Sequence, residues 1–340
     1  MIRAARLTDR QALADLSGQI HASQDAHRRS LGVPAPVAGG RVALSTLIPS
    51  WIPLRAPSLH LVAEEDGELI GSCRAVEEPG RDDWVITELD AADGPMAAEI
   101  RYDLLNAVCE EGVRRGVARY HAACADVREN LELFRQLSFM AYAQETILYR
   151  EPVAERPRSG LRARFHFPRS TPALPEVDLR PAGAPDAWHV FDLWTHATPP
   201  AIARVEGYAA SDWESVGHEA VVPRSSLAPL LHFGEVNAWL LEQDGRAALF
   251  LQHGACREGP HYVRFLVRDG TDAGQQLPAA IERLAPGAAS AGILAPVRTY
   301  EAMGFHAAQD AGFEPIGRVT LLVREVRATI RQPVMVPAAE

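Results

Sequence analysis

The chain carries the same pattern of residues twice, and this repeat restricts its fold more than any other feature. Three pairs of positions keep the register, at offsets of 177, 178 and 174: Arg3 with Arg180, Asp66-Gly67 with Asp244-Gly245, and Phe139 with Phe313. At 340 residues the chain also exceeds the size that one hydrophobic core usually serves. We therefore expect two duplicated domains, 1–151 and 175–340. Residues 152–174, where Pro and Arg replace periodic apolar residues, are the predicted linker.

Charge and composition exclude several classes of function. With a net charge of −10 the chain would repel a phosphate backbone, so nucleic acid is not an expected partner. All 34 basic residues are Arg, so no lysine is present for Schiff-base chemistry. Cys73, Cys109, Cys124 and Cys256 form no C-x-x-C pair, which favours reduced core thiols over disulfides or zinc ligands.

The N-terminus and the histidine spacing indicate a metal-free cytoplasmic protein. MIRAARLTDRQ is charged where a signal peptide would be apolar, and no window approaches the roughly 18 apolar residues of a membrane span. His21 and His27 are six residues apart and His189 and His196 seven, whereas the helical zinc motif H-E-x-x-H spans one turn. Hydrolase elbows, P-loops and dinucleotide-binding motifs are also missing from the sequence.

The residue pattern of the first half predicts a succession of helices and strands. A capping-box pattern at Thr8 predicts a helix from about residue 9. Asp66-Gly67 predicts a hairpin within LHLVAEEDGELIGSCRAV. A strand is expected at 84–91 and an amphipathic helix at 97–115. ARYHAACA and AYAQETILYR are strands on either side of a short helix, 130–137.

The second half repeats this order between residues 177 and 325. Its first helix carries Trp188, Phe191 and Trp194, which we interpret as a face packed on a sheet rather than as a substrate or domain interface. YVRFLV and SAGILA are predicted strands that flank another helix. Both halves are therefore predicted to be mixed α/β units.

The stretch LLNAVCEEGVRRGVARYHAACADVRENLELFRQLSF resembles the GNAT superfamily of acyl-CoA-dependent N-acyltransferases. Leu104-Leu105, Arg115-Gly116-Val117 and Leu137-Ser138-Phe139 occupy the positions of the family's motifs. Ala311-Gly312-Phe313 matches the last of these in the second copy, so the resemblance extends over nearly the whole chain. It implies an α/β fold with a mixed sheet, arranged as two tandem GNAT-like domains.

The resemblance also places the loop that binds the pyrophosphate of acetyl-CoA, or of another acyl-CoA, at the start of the central helix. It falls on six residues: Met96, Ala97, Ala98, Glu99, Ile100 and Arg101. Both glycines of the family's loop are absent and Glu99 puts a carboxylate near the phosphates, whereas the two alanines permit close approach and Arg101 offsets the charge. The second copy, 271–276, keeps one glycine and adds an acid, so the first copy is the favoured site.

Catalytic positions follow from the same resemblance. Glu88 matches the family's base, and its apolar neighbours are expected to raise its pKa; the alternative is a Glu88 that faces solvent or pairs with an arginine. Phe134 stands at the cofactor-binding position where the family has a tyrosine that protonates the thiolate, and the second copy has Ala308 there. Water or another group must therefore protonate the sulfur.

Further cofactor contacts are implied on the central strand and the short helix. Leu89 and Ala91 fall where the family's strand splays from its neighbour and binds the pantetheine arm through its main chain. Asn130 is either a hydrogen-bond partner of this arm or a helix cap. Tyr120 and His121 either face the acyl group or are buried in packing.

Together these residues imply an acetyl-CoA-dependent N-acyltransferase for a small amine, with no metal cofactor, a catalytic first domain and a structural second domain. Two alternatives stay open. One is a non-catalytic GNAT-like binding or regulatory protein, favoured by the damaged loops and the missing tyrosine. The other is a pseudo-dimer of domains whose shared cleft binds a different ligand. We expect a monomer of this kind or a homodimer, without membrane contact.

Overall fold

The computed structural model describes residues 1–34, 58–78, 80–152, 177–217, 221–257, 259–284 and 291–326. The predicted linker lies outside these ranges from residue 153 onward. The strands of the first half are β1 Ile2–Ala4, β2 Ser58–Glu65, β3 Glu68–Glu77, β4 Asp83–Ala91, β5 Arg119–Ala125 and β6 Met140–Arg150. Its helices are α1 Arg10–Ala22, α2 Gln24–Arg29, α3 Ala97–Arg114 and α4 Arg128–Gln136.

The second half follows the same order. Its strands are β7 Arg180–Pro181, β8 Phe233–Gln243, β9 Arg246–Cys256, β10 His261–Val267, β11 Ile293–Arg298 and β12 Glu314–Glu325. Its helices are α5 Ala187–Ala197, α6 Pro200–Glu206, α7 Ala273–Leu284 and α8 Ala302–Asp310. The mixed α/β class is confirmed, and predicted element ends agree within a few residues. No helix in the described ranges is long and apolar enough to cross a membrane.

The predicted hairpin at Asp66-Gly67 is confirmed, and its counterpart in the second half, Asp244-Gly245, is also a hairpin turn. Asp66 and Gly67 have φ values of 52° and 87°, and Asp244 and Gly245 have φ values of 51° and 72°. A two-residue hairpin turn that matches the twist of its strands needs positive φ at both positions, which glycine adopts freely and Asp tolerates. These turns fix the registers of β2 with β3 and of β8 with β9.

The described strands form one mixed sheet in which the two halves exchange their last strands. The order is β1-β2-β3-β4-β5-β12-β6-β11-β10-β9-β8-β7. β12, from the end of the chain, pairs with β5 on one side and with β6 on the other. β6, from the first half, pairs in turn with β11. The sequence repeat gave no indication of this exchange.

The hydrophobic cores follow the exchange. Leu104 and Leu105 of α3 belong to a buried cluster that also contains Leu294 and Leu322 from the second half. Leu148 of β6 belongs instead to the core of the second half. Burial of apolar surface therefore links the halves as directly as the hydrogen bonds do.

The aromatic residues of α5 have two different environments. Trp194 is 2% exposed and lies 5.9 Å from Trp213, ring centre to ring centre, in a separate buried cluster. Phe191 is partly buried against the same cluster, whereas Trp188 is 65% exposed. The packed-face interpretation is thus correct for Trp194 and wrong for Trp188.

Leu322→Ala is expected to destabilise both halves together, because this side chain is 2% exposed on the strand that they share. Deletion of a buried leucine side chain costs about 2–5 kcal/mol. Differential scanning calorimetry should show one transition that moves to lower temperature. Met140→Ala, at a 60% exposed position on the neighbouring strand, is the control and should have little effect. Two transitions, of which only one moves, would contradict a shared sheet.

Candidate active site

β4 and β5 form a split at the centre of the first half. Their parallel pairing extends only from Asp83–Arg119 to Ile86–Ala122. β4 then continues to Ala91 and stays paired with β3, although a β-bulge between Ile86 and Glu88 shifts the register by one residue. Leu89 and Ala91 lie on this divergent part, as the resemblance implied. Whether they contact a cofactor stays a prediction.

The segment 30–34, which follows α2, lies across this split. The amide of Ala125, at the end of β5, donates a 2.6 Å hydrogen bond to the carbonyl oxygen of Leu31. On the other side is Asp90 of β4. Burial has the larger effect on its carboxyl group and raises the pKa, and the side chain of Ser30 lies close enough to lower that pKa in part. Leu31 and Val33 are 7% and 6% exposed. The chain itself therefore occupies the place where the resemblance puts the pantetheine arm.

Asn130 and Arg101 hold the same part of the chain. Asn130 Nδ2 donates to the carbonyl oxygens of Arg28 and Ser30 at 2.7 and 2.9 Å. Arg101 Nη1 donates to the carbonyl oxygen of Arg29 at 2.8 Å. The N-cap of α4 is Val127, so the prediction of Asn130 as a helix cap is wrong. A cofactor role for either side chain is untested, but both are engaged elsewhere here.

The start of α3 keeps the defects seen in the sequence. Met96 occupies the N-cap and is 52% exposed, Ala97 is buried, and Ala98 is exposed. Glu99 is exposed in the first turn, where its carboxylate opposes a bound phosphate through charge repulsion. Arg101 points its guanidinium toward α2, so its expected compensation of Glu99 is weakened.

Glu88 does not have the raised pKa expected from its apolar neighbours. Burial opposes its ionisation, but His60 and Ser72 outweigh that effect and lower the pKa of Glu88 to about 2. Ser72 donates a hydrogen bond to Glu88 Oε1, and His60 Nε2 lies 3.5 Å from the same oxygen. It is Asp90 that has a raised pKa. Burial and, after it, the charge of Glu88 raise the pKa of Asp90 to about 8.

Three further candidates are core residues. Phe134 is 1% exposed and lies edge-on to Phe139 at 5.1 Å between ring centres. Tyr120 is fully buried and donates to the carbonyl oxygen of Cys109 at 2.7 Å. Burial, followed by the charge of Arg224, lowers the pKa of His121 to about 3, so its ring is neutral. The packing interpretation therefore fits Tyr120 and His121.

The second half has a corresponding split that is closed by an ion pair. The parallel register of β10 with β11 covers only Tyr262 and the residue before it. In the register of the sheet, Arg264 lies opposite Gln252 of β9, and Glu88 lies opposite Arg74 of β3. Arg264 therefore occupies the position in the second half that Glu88 has in the first. It makes hydrogen bonds of 2.5 and 2.9 Å to both oxygens of Glu301. The second copy thus has a cation where the first has a carboxylate.

Buried charges lie where the two halves meet. Arg298 of β11 contacts Glu145 of β6 at 3.0 Å and Glu206 of α6 at 2.8 Å, and all three side chains are at most 1% exposed. Burial alone would lower the pKa of Arg298, but Glu206 and Glu145 raise it well above its usual range. Arg224 similarly pairs with Glu78. Sequence reasoning missed these residues because each stands alone within an apolar or irregular stretch.

A narrow cavity lies beside these charges, with walls from both halves. Its volume is about 20 Å³, room for about one water molecule. Leu31, Val85 and His121 line it from the first half, and Arg224 and Leu230 from the second. Within the described residues no group of three or more His, Cys, Asp or Glu side chains is arranged to hold a metal ion.

The buried Asp90 predicts a pH-dependent stability. Its folded pKa of about 8 lies above the ordinary value of about 3.9, so the unfolded chain releases this proton first as pH rises. The free energy of unfolding should therefore fall between about pH 4 and pH 8. Asp90→Asn removes this fall and should be more stable than the parent at pH 8 in urea titrations. The exposed Asp93→Asn is the control; parallel profiles for the parent and Asp90→Asn would contradict the assignment.

Arg298→Met should lower the free energy of unfolding by about 3–5 kcal/mol, because it leaves two buried carboxylates without their cation. A second change, Glu145→Gln, should recover part of the loss by removing one of those charges. Urea titration measures both effects. Arg318→Met, an exposed arginine on β12, is the matched control. A loss no larger than that of the control would show that the buried pairs contribute little.

Comparison with known proteins agrees on the fold. No protein-family model matches the sequence, and no curated protein matches it. A tandem GNAT protein from the clavulanic acid biosynthesis pathway, solved without AcCoA, is 13% identical, with a TM-score of 0.55 over 96% of this chain and 98% of that one. A GCN5-related N-acetyltransferase from Sphaerobacter thermophilus is 14% identical, with a TM-score of 0.56 over 96% of both chains. The chain therefore has the tandem GNAT fold.

Proposed function

We propose that the chain is an acyl-CoA-dependent N-acyltransferase that uses its first half to acylate a small amine. The observation that supports this most directly is the divergence of β4 from β5 after Ile86. In the family, the main chain of the corresponding strand binds the cofactor arm, and we assign the same role to the main chain of residues 87–91. Backbone recognition does not depend on side chains, so it tolerates the substitutions in the phosphate loop.

The transfer requires a neutral amine. The amine nitrogen forms a bond to the thioester carbonyl carbon, and the carbon–sulfur bond breaks. The amine nitrogen gives its excess proton to water, and water in turn protonates the thiolate. Glu88 is ionised but weakly basic, since its pKa is lowered to about 2. Its role is then to attract and orient the ammonium form of the acceptor. The deprotonation of the acceptor itself is expected to limit the rate at neutral pH.

A second candidate is a non-catalytic GNAT-like ligand-binding or regulatory protein. The specific observation in its favour is that both splits are filled by the chain's own groups. Segment 30–34 lies in the first, and the Arg264–Glu301 ion pair closes the second. Phe134 supports the same interpretation because its side chain is apolar and buried in the core.

Titration calorimetry with acetyl-CoA separates the two candidates, combined with thiol release measured across a panel of small amines. Catalysis predicts binding, thiol release that depends on the amine, and a rate that rises with pH toward the pKa of the acceptor. Glu88→Gln should raise KM for a cationic acceptor because it removes the carboxylate. Binding of acetyl-CoA without thiol release from any amine would favour the second candidate.

Glu99→Gln should tighten acetyl-CoA binding about two- to fivefold. The substitution removes a negative charge that repels the phosphates, and one charge near the start of a helix changes the binding free energy by about 0.3–1 kcal/mol. Glu110→Gln removes an exposed carboxylate from a later turn of α3 and is the matched control. Equal effects of the two substitutions would show that the phosphates do not bind at the start of this helix.

A further inference from the structure

The segment that lies in the β4–β5 split, together with the end of α2 that precedes it, is held from several directions. Asn130 of α4 binds the carbonyl oxygens of Arg28 and Ser30, and Arg101 of α3 binds that of Arg29. The amide of Ala125 on β5 donates a hydrogen bond to the carbonyl oxygen of Leu31. Four consecutive carbonyl groups, from residues 28 to 31, are therefore bound by three different elements.

The next residues continue this close fit. Gly32 has a φ of +63°, and a Cβ added there would lie 2.9 Å from Cβ of Ala125. Only glycine adopts this conformation without strain and leaves room for β5. Beyond it, Pro34 packs against Gly317 of β12, where an added Cβ would lie 2.3 Å from the proline ring. The segment thus reaches from β4 across β5 to the exchanged strand.

The two hydrogen bonds made to this segment at the carbonyl oxygens of Ser30 and Leu31 resemble those made to an extended ligand. Both are directed at carbonyl oxygens, which the amide groups of a pantetheine arm also present. The Ala125 amide lies beyond the last β5 residue that pairs with β4, Ala122, and is satisfied by the segment. A ligand arm and the segment cannot occupy this space together, because Leu31 and Val33 fill it with buried side chains.

We propose that residues 30–34 form an intramolecular plug that competes with the cofactor arm for the β4–β5 split. This inference rests on the proposed function, since the competing ligand is an acyl-CoA. Cofactor binding requires the plug to leave, so the apparent affinity equals the affinity of the open split reduced by the fraction of open molecules. Asn130 and Gly32 act on the plug rather than on the ligand.

Two substitutions weaken the plug by independent routes. Asn130→Ala removes two hydrogen bonds, one to the plug at Ser30 and one to Arg28 at the end of α2 just before it. Gly32→Ala places a side chain 2.9 Å from Cβ of Ala125 on β5 and from the backbone of Arg28, in a conformation that is strained for alanine, so it destabilises the closed arrangement. Matched controls are Asn106→Ala, whose amide donates to the exposed carboxylate of Glu110 on the same helix, and Gly18→Ala, where an added Cβ meets nothing within 4 Å. Circular dichroism checks that each variant is folded.

Binding is measured by calorimetry with S-ethyl-CoA, a thioether without a free thiol. Asn130→Ala and Gly32→Ala should each bind it about tenfold more tightly than the parent, and the controls should bind as the parent does. The sign is decisive for Asn130. Weaker binding by Asn130→Ala would assign this side chain to the ligand and overturn the plug.

The departure of the plug from the split is measured separately, by maleimide labelling of the variant Leu31→Cys. The parent protein, with its four cysteines, gives the background. The introduced thiol should be protected in the free protein and should react at least about tenfold faster when S-ethyl-CoA is bound or Gly32→Ala is added. Binding without faster labelling would overturn the plug and leave the proposed function intact. No binding by the parent or by either weakened variant would overturn the proposed function and, with it, the competition.

Discussion

The insertion of β12 between β5 and β6 is the interaction on which the rest of this structure depends. Its hydrogen bonds to β5 cover Val319–Glu325, and those to β6 begin at Glu314. Without β12 the first half would lose the neighbour of β5, and β6, which pairs with β11, would lose its connection to the other strands of the first half. The continuous sheet and the two mixed cores follow from this one placement. Each half of the sheet therefore contains a strand that comes from the other half.

The charges between the halves are a consequence of the same exchange. β6 carries Glu145 into the second half, where it meets Arg298. Taking such groups out of water is expensive unless every charge finds a partner in good geometry. Glu206 completes the arrangement from α6. A sheet formed in a different register would leave these groups buried and unpaired, so they favour the observed pairing over its neighbours.

Local patterns predicted local structure well. The Asp-Gly turns, the apolar stripe of α3 and the alternating strands each depend on residues close together in sequence. Strand alternation specifies which face is buried but not which strand is the neighbour, so the exchange of β6 and β12 was not visible. The repeat predicted two separate domains. The two halves share one sheet, and the division into domains stays a prediction.

The candidate site was predicted less well, because its electrostatics come from across the sheet. The raised pKa expected for Glu88 is found two residues later, at Asp90. Ser72 and His60, on the two preceding strands, make the difference. Asn130 fitted a ligand contact and a helix cap equally well from sequence. Its actual partners, Arg28 and Ser30, are distant in the chain and have no motif that marks them.

The exchanged strands also bear on how such a chain arises and diverges. One unit of this kind, by itself, completes its sheet only with a second copy, and two identical copies would form a symmetric swapped dimer in which every site occurs twice. Joining both units in one polypeptide removes that symmetry. A substitution then affects a single site, so a carboxylate persists at Glu88 while its counterpart is Arg264. Covalent linkage is what allows the two halves to specialise without losing the sheet that each requires from the other.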